Sequence, residues 1–317
     1  MMPDRKIIAV VGATGAQGSG LIDAIINDRD GGFVARALTR KIDSDKAKAL
    51  ITSGVEVVAA DLDDLASLKR AFAGAYGAFC LTNYWEHLSP EKEHAQAINM
   101  AEAAKHAGVQ HVIWSTLEDT RKWIPLSDNR MPTLMNKYKV PHFDAKGESD
   151  QEFTQRGVPT TFLLTSFYWD NMIMFGMAPK KGPDGTLLYT IPMGDKKLPG
   201  IAAEDIGKCA LAIFKRGREY IGKTIGISGE HLSGTEMAAA MTEAFGQPVR
   251  YNEVSPETYR GFGFPGADDI GNMFQFKRDF NEVFRGARNP AVARLLNPSL
   301  LTFEAWLGKN KQRVVLS

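Results

Sequence analysis

Gly12, Gly15 and Gly18 stand three residues apart, a spacing that can hold a phosphate. A backbone that binds a bulky anion through its N–H groups must approach it without side chains in the way. A side chain at Gly12 obstructs the turn, and one at Gly15 keeps a pyrophosphate off the amides. One at Gly18 holds the following helix away from the strand. Ala13, Thr14, Ala16 and Gln17 complete the loop. Arg40 and Lys41 suit a second anion. A site for NAD places a carboxylate at the end of the second strand to accept from the ribose hydroxyls. Two cations there attract a 2′-phosphate instead, which favours NADP(H). Asp43 and Asp45 follow and count against this, and solvated surface charge is the alternative. Asp61 ends the third strand, where it can reach an adenine amino group or cap the next turn. His142 and Lys146 lie one helical turn apart. An ammonium beside a nicotinamide ribose orients its hydroxyls or eases proton transfer from a neighbouring donor, and imidazole is itself a general acid. A solvated helix lysine and a packed or capping histidine are the plainer readings.

The elements that must position these residues follow from apolar periodicity. Ile7–Val11 reads as a strand, and Leu21, Ile22, Ile25 and Ile26 mark the helix behind the glycines. This strand–turn–helix context makes the glycine spacing a dinucleotide site rather than an ordinary glycine-rich turn. Further strands are expected at Phe33–Leu38, Val55–Ala60, Gly77–Leu81, His111–Ser115 and Thr160–Leu164. Helices are expected at Ser44–Ser53, Leu65–Phe72, Pro90–Ala107 and Pro141–Arg156. Ser89 before Pro90 is an N-cap signal and Gly108 a stop. The alternation implies an α/β fold, a Rossmann-type doubly wound parallel sheet with helices on both faces and right-handed crossovers. The segment Thr120–Tyr138 reads as a loop. Beyond Thr165 the alternation breaks, so residues 1–165 are expected to form the nucleotide domain and residues 166–317 a smaller α+β subdomain, with the chain free to cross back. Helices are expected there at Asp205–Lys215, at Ser233 onward through a capping box to Phe245, and at Thr302–Lys311. Strand ends in such sheets offer Thr82, Asn83, Tyr84 and Trp85, Ser115 and Thr116, and Phe167–Asn171. Their aromatics line a pocket or simply fill core.

Composition narrows the function classes. With 38 basic and 37 acidic residues the formal net charge is +1, which gives no general nucleic-acid or anionic-membrane surface. No apolar run reaches the roughly 18 residues of a membrane span. Met1 to Lys6 leads straight into a strand, without the apolar core of a signal peptide. Cys80 and Cys209 read as separate buried thiols, and a cytoplasmic location fits, or a nuclear one for a eukaryotic regulator. His87 and His94 are seven apart, His106 and His111 five apart, and no Cys-x-x-Cys occurs, so no metal site is expected. Ser115 lacks the glycines of a nucleophile elbow.

Gly-Ala-Gln-Gly18, Leu81–Glu86, His142–Glu148, Gly263–Ala267 and Asn272–Phe274 together resemble the NmrA-like branch of the atypical short-chain dehydrogenase/reductases. The strings span nearly the whole chain. The resemblance implies NADP(H) as cofactor. It implies pyrophosphate on Gly12–Gly18, the 2′-phosphate on Arg40, and adenine between Asp61 and Leu62. Thr82, Asn83 and Tyr84 would line the middle of the cofactor, and Lys146 with Tyr168, Trp169, Asp170 and Asn171 its nicotinamide end. Basic residues beyond Arg40 match only in part, because Ile42, Asp43 and Ser44 precede Lys46. The short-chain family's active site is Tyr-x-x-x-Lys, and here it is His142-x-x-x-Lys146. Loss of that tyrosine is shared by NmrA-like sensors, which hold NADP without turnover, while other relatives reduce quinones, aromatic ethers or triphenylmethane dyes. A redox-responsive regulator implies a protein partner. A reductase implies a small carbonyl, quinone or aromatic substrate, with Lys146 and His142 as its catalytic pair. Either is compatible with a homodimer.

Overall fold

A computed structural model describes residues 5–28 and 31–317; Met1–Asp4, on which the signal-peptide reading partly rests, lie outside the described residues. The chain forms two compact units. One comprises Met1–Glu118, Ala145–Leu164 and Glu204–Ile225, the other Asp119–Asp144, Thr165–Ala203 and Gly226–Ser317. The division near Thr165 is one of several points at which the chain passes from one unit to the other.

The first unit is built on β1 (Lys6–Val10), β2 (Phe33–Thr39), β3 (Glu56–Ala59), β4 (Gly77–Cys80), β5 (His111–Thr116) and β6 (Thr160–Leu164). Their order in the sheet is β6-β5-β4-β1-β2-β3, with the strand Thr224–Gly226 outside β6. All five contacts among the six pair in parallel, for example Ile8 with Ala35 and with Gly77. The order reverses between β1 and β4, so the loops leaving those two strands flank the switch point where such sheets bind ligands.

Local chemistry fixes the crossovers α1 (Ala16–Ile26), α2 (Asp45–Thr52), α3 (Leu65–Phe72), α4 (Pro90–Ala107) and α5 (Pro141–Gln155). Ser44, Asp64 and Ser89 each accept a backbone N–H from the first turn of the helix behind them, about 1 kcal/mol apiece. α4 opens on Pro90 and stops at Gly108 in the left-handed region, φ 65°. Strand β5 is buried throughout. Trp114 on it stacks on Phe153, ring centroids 5.1 Å apart, in a core with Phe72, Cys80, Met100 and Phe162. The indole N–H donates to Asp150 Oδ1 at 2.9 Å, so the buried ring leaves no orphaned donor. Cys80 and Cys209 are free and buried. Burial pushes the Cys209 thiol up to about 12 and raises Cys80 as well, so neither is a ready nucleophile.

The second unit holds two three-stranded sheets. Leu198–Ile201 pairs with Phe167–Tyr168 and Glu230–Leu232, and Leu187–Ile191 with Val249–Glu253 and Lys180–Lys181. Ser233 and Glu236 form the expected capping box at the head of the helix Gly234–Phe245. The segment 119–140 carries a 3-10 turn at Thr120–Lys122 and an antiparallel bridge between Leu134 and Tyr138, and is tied down by Asp144. That buried carboxylate accepts from Thr120 N and Oγ1, Lys139 N and Val140 N, which oppose the upward push of burial on its pKa. No helix among the described residues is long and apolar enough to cross a membrane.

Candidate cofactor site

The glycine loop leaves β1 at the switch point. Gly12 sits at φ +63°, where a side chain is strained. A Cβ on Gly18 would stand 2.3 Å from the Gly12 carbonyl oxygen, so only glycine lets α1 close against its own loop. A Cβ on Gly15 would meet just the Gly12 oxygen, at 3.2 Å, on an exposed face. α1 starts at Ala16 with no acid in its first turn and, unlike α2, α3 and α4, no side-chain cap. Its first N–H groups and positive dipole end therefore suit an anion.

Beside the loop lies an open cavity of about 330 Å³ lined by Thr14, Thr39, Arg40, Lys41, Ser44, Asp45 and Lys46. The first turn of α2 brings Lys46 back to the loop, where its ammonium donates to Thr14 O at 3.2 Å. The intervening Ile42–Ser44 thus forms the turn that delivers a third cation, and Asp45 is the one carboxylate on the lining among the described residues. Arg40 is already partnered: its Nη2 donates to Glu86 Oε1 and Oε2 at 2.8 and 2.9 Å, with both side chains about half exposed. Asp61 Oδ1 accepts from Asp63 N at 3.0 Å, so it caps the following turn, and Leu62 O accepts from Asn99 at 2.8 Å.

The segment leaving β4 meets α5 through a buried polar cluster. Lys146 Nζ donates to Thr82 Oγ1 at 2.5 Å and to Thr82 O at 3.2 Å, and pairs with Glu93 Oε1 at 2.8 Å. Thr82 Oγ1 in turn donates to Glu93 Oε1 at 2.5 Å. Two of the ammonium's three N–H donors thus go to Thr82, and its charge faces the Glu93 carboxylate. Glu93 is fully buried; its Oε2 has no hydrogen-bond partner among the described residues and faces His87 Nε2 at 3.6 Å. His87 Nδ1 accepts from Ser89 N at 3.1 Å, which puts the neutral ring's proton on Nε2, toward that carboxylate. The Lys146 ammonium also stands 5.2 Å from the Trp114 ring. Asn83 is exposed, whereas Tyr84 is buried, edge-on to Trp85 at 5.4 Å.

The remaining expected residues belong to the second unit. His142 is buried, with Nδ1 2.7 Å from Asp269 Oδ1 and its backbone N–H on Oδ2 of the same carboxylate. Tyr168 OH bonds Thr165 Oγ1 at 3.2 Å. The Trp169 ring is core: 1% exposed, against Phe303 and Trp306 and over Gly200, where a Cβ would stand within 3.0 Å of its Cδ1. Asp170 Oδ2 accepts from Ala203 N at 2.8 Å, and burial raises its pKa against that bond and one from the Trp306 indole. Asn171 heads the short helix Asn171–Met174.

Sequence reasoning passed over Glu86, Glu93 and Asp269. A signal existed for Glu93: it lies in register with Ala97, Met100 and Ala104 on the buried face of α4, where an unpartnered acid is untenable. Among the described residues no group of three or more metal-ligating side chains occurs. Ser149, His94 and Glu152 adjoin one another, but Ser149 is fully buried and its hydroxyl donates to Ala145 O at 2.7 Å, so it is no nucleophile.

Known proteins resemble this chain throughout. An NAD(P)H azoreductase of Xenophilus azovorans is 30% identical over 82% of each chain. The NmrA-like family domain-containing oxidoreductase FrzB of a Cladobotryum species is 29% identical over 85% of this chain and 83% of its own. The negative transcriptional regulator NmrA, solved in complex with NAD and with NADP, superposes with a TM-score of 0.78 at 26% identity, over 96% of this chain and 95% of its own. The pattern of the NmrA-like family matches residues 4–307, and the chain belongs to that family.

Proposed function

We propose that this protein binds NADP(H) in its first unit and acts as a redox-responsive regulator that reads the cofactor rather than consuming it. The residues present fit the cofactor. A loop closed by Gly12 and Gly18, with an uncapped helix start, suits the pyrophosphate, and Arg40, Lys41 and Lys46 suit the 2′-phosphate. When bound, NADP(H) supplies hydride exchange at its nicotinamide. Asp61 and Leu62 would flank the adenine, and Thr82–Tyr84 would border the middle of the molecule.

One observation carries the regulator over the reductase. Lys146 donates to Thr82 O and Thr82 Oγ1 and pairs with the buried Glu93 carboxylate. Here it ties the exit of β4 to α5, instead of presenting an ammonium to a ribose and a proton donor. At the position of the short-chain tyrosine that would use it stands His142, which has no phenol hydroxyl. The regulator NmrA among the relatives agrees with this reading. A regulator must give the reduced and oxidised cofactor unequal affinity for two states of the protein.

A NADPH-dependent reductase is the second reading, and the His142–Asp269 pair favours it. A carboxylate-oriented imidazole is a competent general acid, and the azoreductase and oxidoreductase relatives agree. A single experiment separates the two. NADPH and NADP+ are titrated calorimetrically, and NADPH absorbance is then followed with quinones, azo dyes, aldehydes and enones. Tight binding without steady oxidation, together with different protease susceptibility in the two cofactor states, is expected. Steady NADPH consumption on any of these substrates overturns the regulator reading.

A further inference from the structure

We infer that Glu86 is a specificity-determining residue of the cofactor pocket, one that opposes the 2′-phosphate and leaves a 2′-hydroxyl unopposed. The inference rests on the NADP(H) reading of that pocket. Arg40 is the residue there best shaped for a phosphate, because its planar fork offers five N–H donors. In this structure Nη2 is spent on both Glu86 oxygens, at 2.8 and 2.9 Å, while Nε and Nη1 take no partner among the described residues. A phosphate arriving on the open edge finds the carboxylate already on the guanidinium. If Glu86 stays, its charge lies beside a dianion; if it swings away, Arg40 gives up an ion pair. The sign is the same in both cases.

Glu86 is held in place by its backbone. It ends the 3-10 turn Tyr84–Glu86, its N–H bonds Asn83 O at 3.2 Å, and Leu88 N closes on Tyr84 O at 2.8 Å. The buried Tyr84 anchors this turn, so the carboxylate is presented to Arg40 by a fixed segment. Three cations, Arg40, Lys41 and Lys46, then face two carboxylates, Asp45 and Glu86. Neutralising Glu86 leaves one. A 2′-hydroxyl carries no charge and is indifferent to that balance. The pair is about half exposed, so the discrimination is modest, about two- to fivefold in affinity.

The test measures binding by calorimetry on the full chain with two probes that lack the nicotinamide, adenosine 2′,5′-bisphosphate and 5′-AMP. Glu86→Gln is expected to tighten the bisphosphate about two- to fivefold and leave 5′-AMP unchanged. The gain is expected to vanish on an Arg40→Ala background. Equal changes for both probes, or weaker bisphosphate binding, overturn the role of Glu86. A wild-type protein that shows no preference for the bisphosphate, and that loses nothing with Arg40→Ala, overturns the 2′-phosphate reading of the pocket and the inference with it. Glu86→Lys is the second variant: it is expected to tighten the bisphosphate at least as much as Gln, and a failure to do so counts against the charge argument.

Discussion

Lys146→Met tests whether the ammonium is held by the protein or kept for a ligand. The Glu93 carboxylate is fully buried and receives two charge-relevant contacts, from Lys146 at 2.8 Å and from the Thr82 hydroxyl at 2.5 Å. Methionine keeps the unbranched stem to within one atom and removes the charge. Glu93 is then a buried anion with one neutral donor. Breaking a buried pair in this way costs about 3–5 kcal/mol. Thr82 still donates, and His87 Nε2 lies 3.6 Å from the free oxygen and can close on it, which places the expected loss near the low end, about 3 kcal/mol. That is a large part of the roughly 5–15 kcal/mol that holds a typical domain. Glu93→Gln keeps an acceptor for Lys146, whose side chain is 12% exposed and retains both Thr82 oxygens, so it is expected to lose less, about 1–2 kcal/mol. The double variant restores charge balance, and the coupling between the two sites should exceed about 1.5 kcal/mol. Equilibrium urea unfolding is the assay. It must be followed by both far-UV circular dichroism and tryptophan fluorescence, because two compact units need not unfold together. Two single variants each within about 0.5 kcal/mol of wild type, with additive effects, would refute the reasoning. Lys146 would then be a loosely held cation available to a ribose, and the regulator reading would lose its main support.

Gly18→Ala brings a methyl to 2.3 Å from the Gly12 oxygen, so the loop or the start of α1 must shift; NADP+ binding is expected to fall at least about tenfold, as for a lost interaction of about 1.4 kcal/mol or more, and an unchanged calorimetric affinity would contradict the assignment of the loop. His111 is fully buried, and burial holds its imidazole down to about 4. Thr161 Oγ1 gives its proton to Tyr220 O and accepts from His111 Nε2, leaving Nδ1 bare and without a partner among the described residues. The unfolded chain takes up a proton near pH 6.5 and the folded one only near 4, so stability is complete above about pH 6.5 and falls, by about 3 kcal/mol, as pH drops through that window. Urea midpoints from pH 7 to 4.5 should decline less steeply in His111→Gln than in wild type, and parallel declines would exclude His111 as the cause.

What was legible in the sequence is what neighbouring residues decide among themselves. Ser89, Pro90 and Gly108 bracket α4, and Ser233 with Glu236 opens the helix to Phe245; both helices have the expected bounds because cap and stop lie within a turn of the backbone they satisfy. Leu65–Phe72 and Thr160–Leu164 follow equally from periodicity and punctuation. The glycine loop was legible for the same reason. The site's pairings were not. Arg40 meets Glu86 across 46 residues, Lys146 meets Thr82 across 64, and His142 meets Asp269 across 127. No local pattern encodes those distances, since each is set by which strands and helices the fold lays side by side. Such pairings also change what a residue can do. As a residue type, Lys146 is a free ammonium one turn from an imidazole. In the fold its ammonium is held by Thr82 and Glu93, and His142 answers to a carboxylate far along the chain. Arg40 is likewise a cation in the sequence, while in the fold it is a cation already paired with Glu86. Whether this family member reads its cofactor or spends it therefore turns on Glu93, Asp269 and Glu86, three acids whose importance lies in the partners they hold.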